Sequence, residues 1–497
     1  MFQKILIANR GEIALRIMAT CREMGIETVA VYSGADEAAA HVLYADEAVC
    51  IGKSDPSDSY LNMAAIIEAA RSVNAGAIHP GYGFLAENGE FADMCAEAGI
   101  VFIGPPGDVI RNLGDKITAR RIMQDAGVPV IPGTTQALSV NDNADALAGE
   151  AAAIGYPVLI KASAGGGGKG IRVVNDPSGL VDACMAASRE AKAAFGDGAI
   201  YMEKFFETAR HVEVQVLADA HGHIVHVLER ECSIQRRHQK IIEESPSPAV
   251  SDDLRARMGE AAVAAAQASN YVNAGTVEFL LAPDLSFYFL EVNTRLQVEH
   301  PVTEMITGLD LVRCQIDIAT GKPLGLTQSD IKGRGHAIEC RIYAEDPEND
   351  FFPSPGRIDV LHEPSGPGIR NDCGVYAGAD VPVEYDPIIS KLVVHAETRE
   401  LAISRMARAL REYVILGVKT PVPFLIDVIE SPAFRAGDLS TGFIETYFPD
   451  WQPKPGLRDI GLIAWVMNAM LVQPVSRQNS TETRIPTPWE TLGNWRV

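Results

Sequence analysis

The stretch that most narrows what this chain can become runs from Gly275 to Met305. Two apolar segments, Gly275 to Leu281 and Phe287 to Asn293, flank Ala282-Pro-Asp-Leu-Ser286, an order that predicts a hairpin turning on Asp284 and Leu285. Period-two alternation puts Phe287, Phe289, Glu291 and Asn293 on one face and Tyr288, Leu290 and Val292 on the other. The same register sets Glu278 opposite Glu291. Two carboxylates about 5 Å apart on paired strands repel unless a cation lies between them. With the Asn293 carbonyl they make an all-oxygen donor set that suits Mg2+ or Mn2+, ions that complete their shells with phosphate and water. A solvated hairpin with outward acids explains that segment alone equally well. The residues after the strand tip the balance. Thr294 to His300 places Arg295, Gln297 and Glu299 at alternate positions, Pro301 stops the strand, and a helix opens at Val302 with Thr303 as its cap. A cation, an amide and an acid beside a metal-bound phosphate suit a small anion, and the acid can take its proton.

At 497 residues the chain accommodates about three domains. Its formal charge of −22 argues against a nucleic-acid or anionic-membrane surface, so a basic cluster reads as a local site for a small anion. The eight cysteines show no CxxC spacing, which suggests neither zinc nor a disulfide framework and fits reduced thiols in a cytoplasmic protein. The first residues read as a strand rather than a signal peptide. The late apolar run Ile460 to Val472 is too short to span a bilayer, so no membrane association is expected.

From the N-terminus, strands at 4–8, 28–32, 48–51, 77–79 and 101–103 alternate with helices at about 11–22, 61–73 and 86–98. That spacing predicts a doubly wound parallel sheet. Asn9-Arg-Gly-Glu12 is not a dinucleotide fingerprint. His79-Pro-Gly-Tyr-Gly-Phe84 is a glycine-rich turn where open sheets place ligands, and equally an ordinary tight turn. Later, the strand Tyr156 to Lys161 runs into Ala162-Ser-Ala-Gly-Gly-Gly-Gly-Lys-Gly170, with a strand from Ile171 after it. Gly165, Gly166, Gly167 and Gly168 allow backbone N–H groups to wrap a phosphate chain, with Lys161 and Lys169 as point charges. A strand after the glycines makes this a flap rather than a Walker loop. Glu203-Lys-Phe-Phe206 pairs charged with apolar groups, as an adenine edge requires. His211, Glu213 and Gln215 share a strand face, which for Glu213 reads foremost as a half-exposed sheet surface. Gln235, His238 and Lys240 lie in a basic run that, between apolar strands, suits a triphosphate and its partner anion, although a charge run is usually a solvated face.

Taken together, SAGGGGKG, Glu203 to Phe206, QRRHQK and EVNTRLQVEHPVTEM resemble the ATP-grasp biotin carboxylases, continuously from Ala8 to about Phe448. Within that family the chain looks most like the biotin carboxylase part of acyl-CoA carboxylase α-subunits. The resemblance implies an α/β fold in three parts. These are a doubly wound N-terminal domain (1–114), an ATP-grasp domain (115–334, with a mobile lid at 134–205) and a mixed α+β C-terminal domain (335–448), with a linker tail after them (449–497). It implies ATP contacts at Lys116, Lys161, His211, Gln235 and His238, with Glu203, Lys204 and Phe206 along the adenine. Glu278, Glu291 and Asn293 match metal ligands. Lys240, Arg295, Gln297 and Val298 match a bicarbonate pocket, Glu299 the general base, and Arg341 the residue facing the biotin enolate. A leucine-type adenine contact of the family is Phe206 here.

The implied substrates and cofactors are ATP, Mg2+ or Mn2+, bicarbonate, and biotin on a carrier. The implied partners are a biotin carboxyl carrier domain or protein and a carboxyltransferase, in a homodimer or larger holoenzyme. Beyond Pro449 the Ser/Thr/Asn-rich text reads as a linker, and the absence of a Met-Lys-Met acceptor suggests a fragment or a subunit served by a separate biotin-bearing chain. The rival readings are another ATP-grasp carboxylate ligase, a pyruvate-type biotin-dependent carboxylase component, and a non-catalytic nucleotide-binding scaffold.

Overall fold

The computed structural model describes residues 1–134, 136, 138, 144–162, 172–195, 198–237 and 239–454, together with 461, 463, 464, 466, 467 and 470. Residues Met1–Trp451 form one compact unit and Gln452–Val497 a second. Of the second, the described positions from 461 to 470 are helical. Gly165 to Gly168, Lys169, His238 and the polar stretch of the tail lie outside the described residues. Among the described residues, no helix is long and apolar enough to cross a membrane.

The N-terminal sheet is parallel, as the strand–helix spacing predicts. Its strands β1 (Lys4–Ile7), β2 (Glu27–Ser33), β3 (Glu47–Gly52), β4 (Ala77–His79) and β5 (Val101–Phe102) lie in the order β3-β2-β1-β4-β5. Strand order reverses beside β1, so the loops after β1 and β4 open outward together at the sheet's carboxyl edge. The Asn9 side-chain amide ties them, donating to the carbonyls of Pro80 (2.8 Å) and Tyr82 (2.7 Å). Gly81 and Gly83 hold φ of +64° and +67° in that turn, and a side chain on Gly81 would collide with Asn9. Helix α1 (Gly11–Glu23) comes directly after the first of these loops.

A three-stranded antiparallel sheet comes next: β6 (Val158–Ala162) between β7 (Arg172–Val174) and β8 (Ile200–Lys204). Eight antiparallel strands then form the large sheet. They are β9 (Arg210–Ala218), β10 (Ile224–Arg236), β11 (Gln239–Ser245), β12 (Asn273–Leu281), β13 (Phe287–Asn293), β14 (His336–Tyr343), β15 (Ile369–Cys373) and β16 (Ile388–Ala396). Their order is β13-β12-β9-β10-β11-β14-β16-β15. One sheet thus runs from the metal-binding candidates at one edge, through Lys240, to Arg341 and beyond. One face of β14, with Ile338, Cys340 and Ile342, packs into an apolar core with helix Arg399–Glu412. The opposite face carries Glu339 and Arg341, both buried, toward helix α2 (His300–Thr307).

Two local expectations are corrected. The strand ends at Asn293, and residues 294–299 form a loop, so Arg295, Gln297 and Glu299 do not share a strand face. Helix α2 opens at His300 with Pro301 in its first turn, where the missing N–H costs nothing. Thr303 is no cap. Its hydroxyl accepts from Arg230 at 3.0 Å inside the protein.

Candidate active site

The hairpin pairs as its turn predicts, with Glu278 facing Glu291 and Thr276 facing Asn293. A bulge between Glu278 and Phe279 leaves Leu290 as an extra residue and reverses the side assignment beyond it. Phe287, Phe289 and Val292 therefore join the apolar core with Val277 and Phe279. Glu291, which the alternation grouped with the phenylalanines, opens onto a cavity instead. Without the bulge, that acid would face the core.

The cavity, about 710 Å³, lies between the small and large sheets. Its walls include Lys116, Lys161, Glu203, His211, Gln235, Lys240, Glu278, Glu291, Asn293, Arg295, Gln297, Val298 and Arg341. Residues more than 200 positions apart in sequence thus converge on one space. Lys204 and Phe206 do not line it. The Lys204 ammonium donates to the carbonyls of Gly155 (3.0 Å) and Tyr156 (2.7 Å), and Phe206 stacks on Tyr288. Lys161 forms an ion pair with Glu203 across β6 and β8.

Lys240 is the electrostatic centre. Its ammonium donates to Glu213 Oε2 (2.6 Å), Glu278 Oε1 (2.8 Å) and Glu299 Oε1 (2.6 Å). Burial works against its charge, but these carboxylates outweigh it and hold the Lys240 pKa well above the usual lysine value. Glu213 is fully buried, not half-exposed. It lies on an internal strand of the large sheet and also pairs with the fully buried Arg230. Arg230 in turn donates to Gln215 (2.9 Å) and Thr276 (3.0 Å), so this guanidinium braces three strands and α2 from beneath.

Glu299 sits between Lys240 and Arg341, whose Nη2 lies 3.0 Å from Glu299 Oε2. Burial pushes its pKa up, yet Lys240, Arg341 and Arg230 together hold the carboxyl well below its usual range. A second acid, Glu243, accepts from Arg341 Nε at 2.6 Å and fixes the guanidinium from its other side. Arg295 donates to Glu87 (2.9 Å), Gln297 Oε1 (2.9 Å) and Asn293 Oδ1 (3.0 Å).

Glu278 is heavily shared. It accepts from Lys240, Asn293 Nδ2 (2.9 Å) and Gln297 Nε2 (3.0 Å), and its other oxygen lies 2.8 Å from His211 Nε2. Burial raises its pKa, but Lys240 and His211 prevail and hold it well below the usual value. Glu291 moves the other way, raised first by loss of hydration and then by the charge of Glu278. A divalent ion relieves that repulsion, and the two carboxylates are the hard oxygen ligands it prefers. The pair therefore fits the ion. Asn293 is arranged differently from its expected role: its carbonyl accepts from Arg295 and its amide nitrogen faces Glu278.

A second cavity of about 480 Å³ adjoins the first and shares Gln239, Arg295, Val298 and Arg341 with it. It is lined by the two loops at the switch point of the parallel sheet, including Asn9, Arg10, Tyr82, Gly83 and Phe84, and by Glu384 to Asp386. The glycine-rich turn after β4 is thus part of a cavity wall.

Family models match nearly the whole described body. Residues 1–110 match the biotin carboxylase N-terminal domain, 115–327 the carbamoyl-phosphate synthase L chain ATP-binding domain, and 339–446 the biotin carboxylase C-terminal domain. The chain belongs to the biotin carboxylases. Among curated relatives of this biotin carboxylase, the biotin carboxylase of Nostoc is 55% identical over 444 residues, 89% of this chain and 99% of its own. The alpha subunit of the mitochondrial methylcrotonoyl-CoA carboxylase of Dictyostelium discoideum is 49% identical over 499 aligned positions, covering 99% of this chain and 70% of that one. Among solved structures, the biotin carboxylase domain dimer of Hydrogenobacter thermophilus 2-oxoglutarate carboxylase, in complex with MgADP, ADP and bicarbonate, matches with a TM-score of 0.85. It is 47% identical and covers 90% of this chain and 98% of its own.

Sequence reasoning had no hold on Glu87, Arg230 and Glu243. Each is a lone charge in an ordinary local context, and its partner lies on another element. Lys391 left a fainter trace, as one cation inside the apolar run Ile388 to Val394.

Proposed function

We propose that this biotin carboxylase activates bicarbonate with ATP in the larger cavity and carboxylates biotin delivered through the smaller one. The observation that carries the reading is the alignment Lys240–Glu299–Arg341 at the place where the two cavities share walls. The enzyme is an ATP-dependent ligase. Lys116, Lys161, Glu203, His211 and Gln235 take the nucleotide, with the glycine flap, His238 and the backbone of Lys204 and Phe206 completing its site. Residues 134–205 form the lid over it.

Glu278 and Glu291, with Asn293, would hold Mg2+ or Mn2+, which would supply charge neutralisation at the phosphates. Lys240, Arg295, Gln297 and Val298 hold bicarbonate. In the structure Lys240 and Arg341 neutralise Glu299 so strongly that it is a feeble base. An anion that draws off the Lys240 ammonium restores its basicity as it binds. Glu299 then takes the bicarbonate proton, and the oxyanion attacks the γ-phosphate of ATP, giving carboxyphosphate and ADP. Carboxyphosphate decomposes to CO2 and phosphate. Phosphate removes the ureido N1′ proton of biotin, Arg341 stabilises the enolate, and the nitrogen captures CO2.

The acceptor of that carboxyl group belongs to a carboxyltransferase partner, with biotin borne on a carrier domain or protein. Homodimerisation is part of the proposal. So is a cytoplasmic location, supported by the eight free cysteines. The test is ADP release: it should require bicarbonate and rise with free biotin. Release that instead depends on a different carboxylic acid would support another ATP-grasp ligase.

A further inference from the structure

Lys391 is a fully buried cation that bicarbonate activation and biotin carboxylation do not use directly. It stands on β16 directly opposite Arg341 on β14 and beside Asp372 on β15. Two like charges on paired positions repel, and the structure separates them by interleaving acids. Arg341 is held by Glu243 and Glu299. The Lys391 ammonium lies 3.1 Å from Glu12 Oε2 on α1 and 4.0 Å from Asp372, with the Tyr82 ring 5.6 Å away. Neither oxygen of Glu12 has a hydrogen-bond partner, although both are buried. One N–H of the Lys391 ammonium donates to the Val298 carbonyl at 3.1 Å.

That carbonyl belongs to the peptide joining Val298 to Glu299. The loop around it is otherwise tied by its neighbours, through Glu87 to the Thr294 N–H (3.1 Å) and through His300 Nδ1 to the Gln297 carbonyl (2.7 Å). The peptide immediately before Glu299 is held from the C-terminal part of the chain. We propose that Lys391 is a positioning residue for bicarbonate activation, fixing the Val298–Glu299 peptide and thereby aiming the Glu299 carboxylate. Glu12 is the acid nearest this buried cation. The inference rests on Glu299 being the base that deprotonates bicarbonate.

Replacing Lys391 alone strands Glu12 without its cation, so the test removes both charges, which is often close to neutral for folding. E12Q/K391M and E12Q/K391Q are compared with wild type. Glutamine keeps a neutral N–H donor at that position and methionine keeps none. Each protein is followed by thermal melting, by ATP affinity, and by kcat and KM for bicarbonate-dependent ADP release. The methionine variant should melt close to wild type and bind ATP normally while kcat falls about 10²-fold, the scale of a misplaced reacting group. The glutamine variant should recover a substantial part of that loss. Equal activity of the two variants, or wild-type kcat in the methionine variant, overturns the proposal. The larger reading is judged separately, by whether the wild-type enzyme requires bicarbonate and responds to biotin.

Discussion

Arg341 contacts Glu243 and Glu299 at once, so in the proposed mechanism it would both present a cation to biotin and restrain the base. Arg341→Ala should reduce carboxylation of free biotin by about 10² to 10³, the usual cost of removing a charge-stabilising group. Bicarbonate-dependent ATP hydrolysis should fall less, because Lys240 still pairs with Glu299. Carboxybiotin and ADP measured together check this, and equal losses would contradict the assignment. Glu12 supports a different prediction. Burial pushes its carboxyl from 4.5 up to about 7, and Lys391 only partly offsets that. A raised carboxyl binds its proton more tightly when folded, so stability falls as pH rises from about 4.5 through 7. Glu12→Gln has no such proton to lose. Between about pH 5 and pH 8 it should gain on wild type by on the order of a few kcal/mol. Parallel melting curves across that range would show the carboxyl unperturbed.

At the scale of elements, the hairpin of β12 and β13 carries the proposed metal ligands, and its bulge decides which acid reaches the cavity. Glu291 faces Glu278, whose oxygens are already shared among Lys240, His211, Asn293 and Gln297. An arriving ion therefore depends on Glu291 for its least encumbered carboxylate. Glu291→Ala should raise the Mg2+ concentration for half-maximal ATP cleavage at least about tenfold, within the range seen when groups around a metal are removed. A metal titration with an unchanged midpoint would take Glu291 out of the ligand set. The neighbouring strands do complementary work: β9 and β10 bury Glu213 and Arg230 as a base plate, and β14 and β16 deliver Arg341 and Lys391.

Across the whole molecule, the N-terminal sheet and the C-terminal strands meet over a buried polar layer beside α2. Glu304 accepts from Arg16 on α1 and from Arg370 on β15, both at 2.8 Å. Asp310 and Asp372 complete the set. Glu304→Ala removes the shared acid and leaves both guanidinium groups under-neutralised. It should destabilise the protein by about 3–5 kcal/mol, the cost of breaking a buried pair from one side. A lowered melting temperature, with activity per folded molecule retained below it, checks this.

Much of this architecture was legible in the residues. Alternation and spacing sufficed for the parallel N-terminal sheet. The Asp284–Leu285 turn fixed the pairing of Glu278 with Glu291, because hairpin register is set by local turn geometry. The motifs sufficed for the family. The Leu290 bulge, the loop at 294–299 and the burial of Glu213 were not legible, because each depends on what packs against the strand. Lys391 belongs with them: one lysine in an apolar run does not announce that Glu12, nearly 380 positions earlier, lies beside it. Sequence alone determined which chemical groups this protein owns and which short-range elements carry them, since periodicity and turn chemistry act over a few residues. Only the tertiary structure decided which acid meets which cation. Charge pairing depends on distance and hydration, and folding sets both.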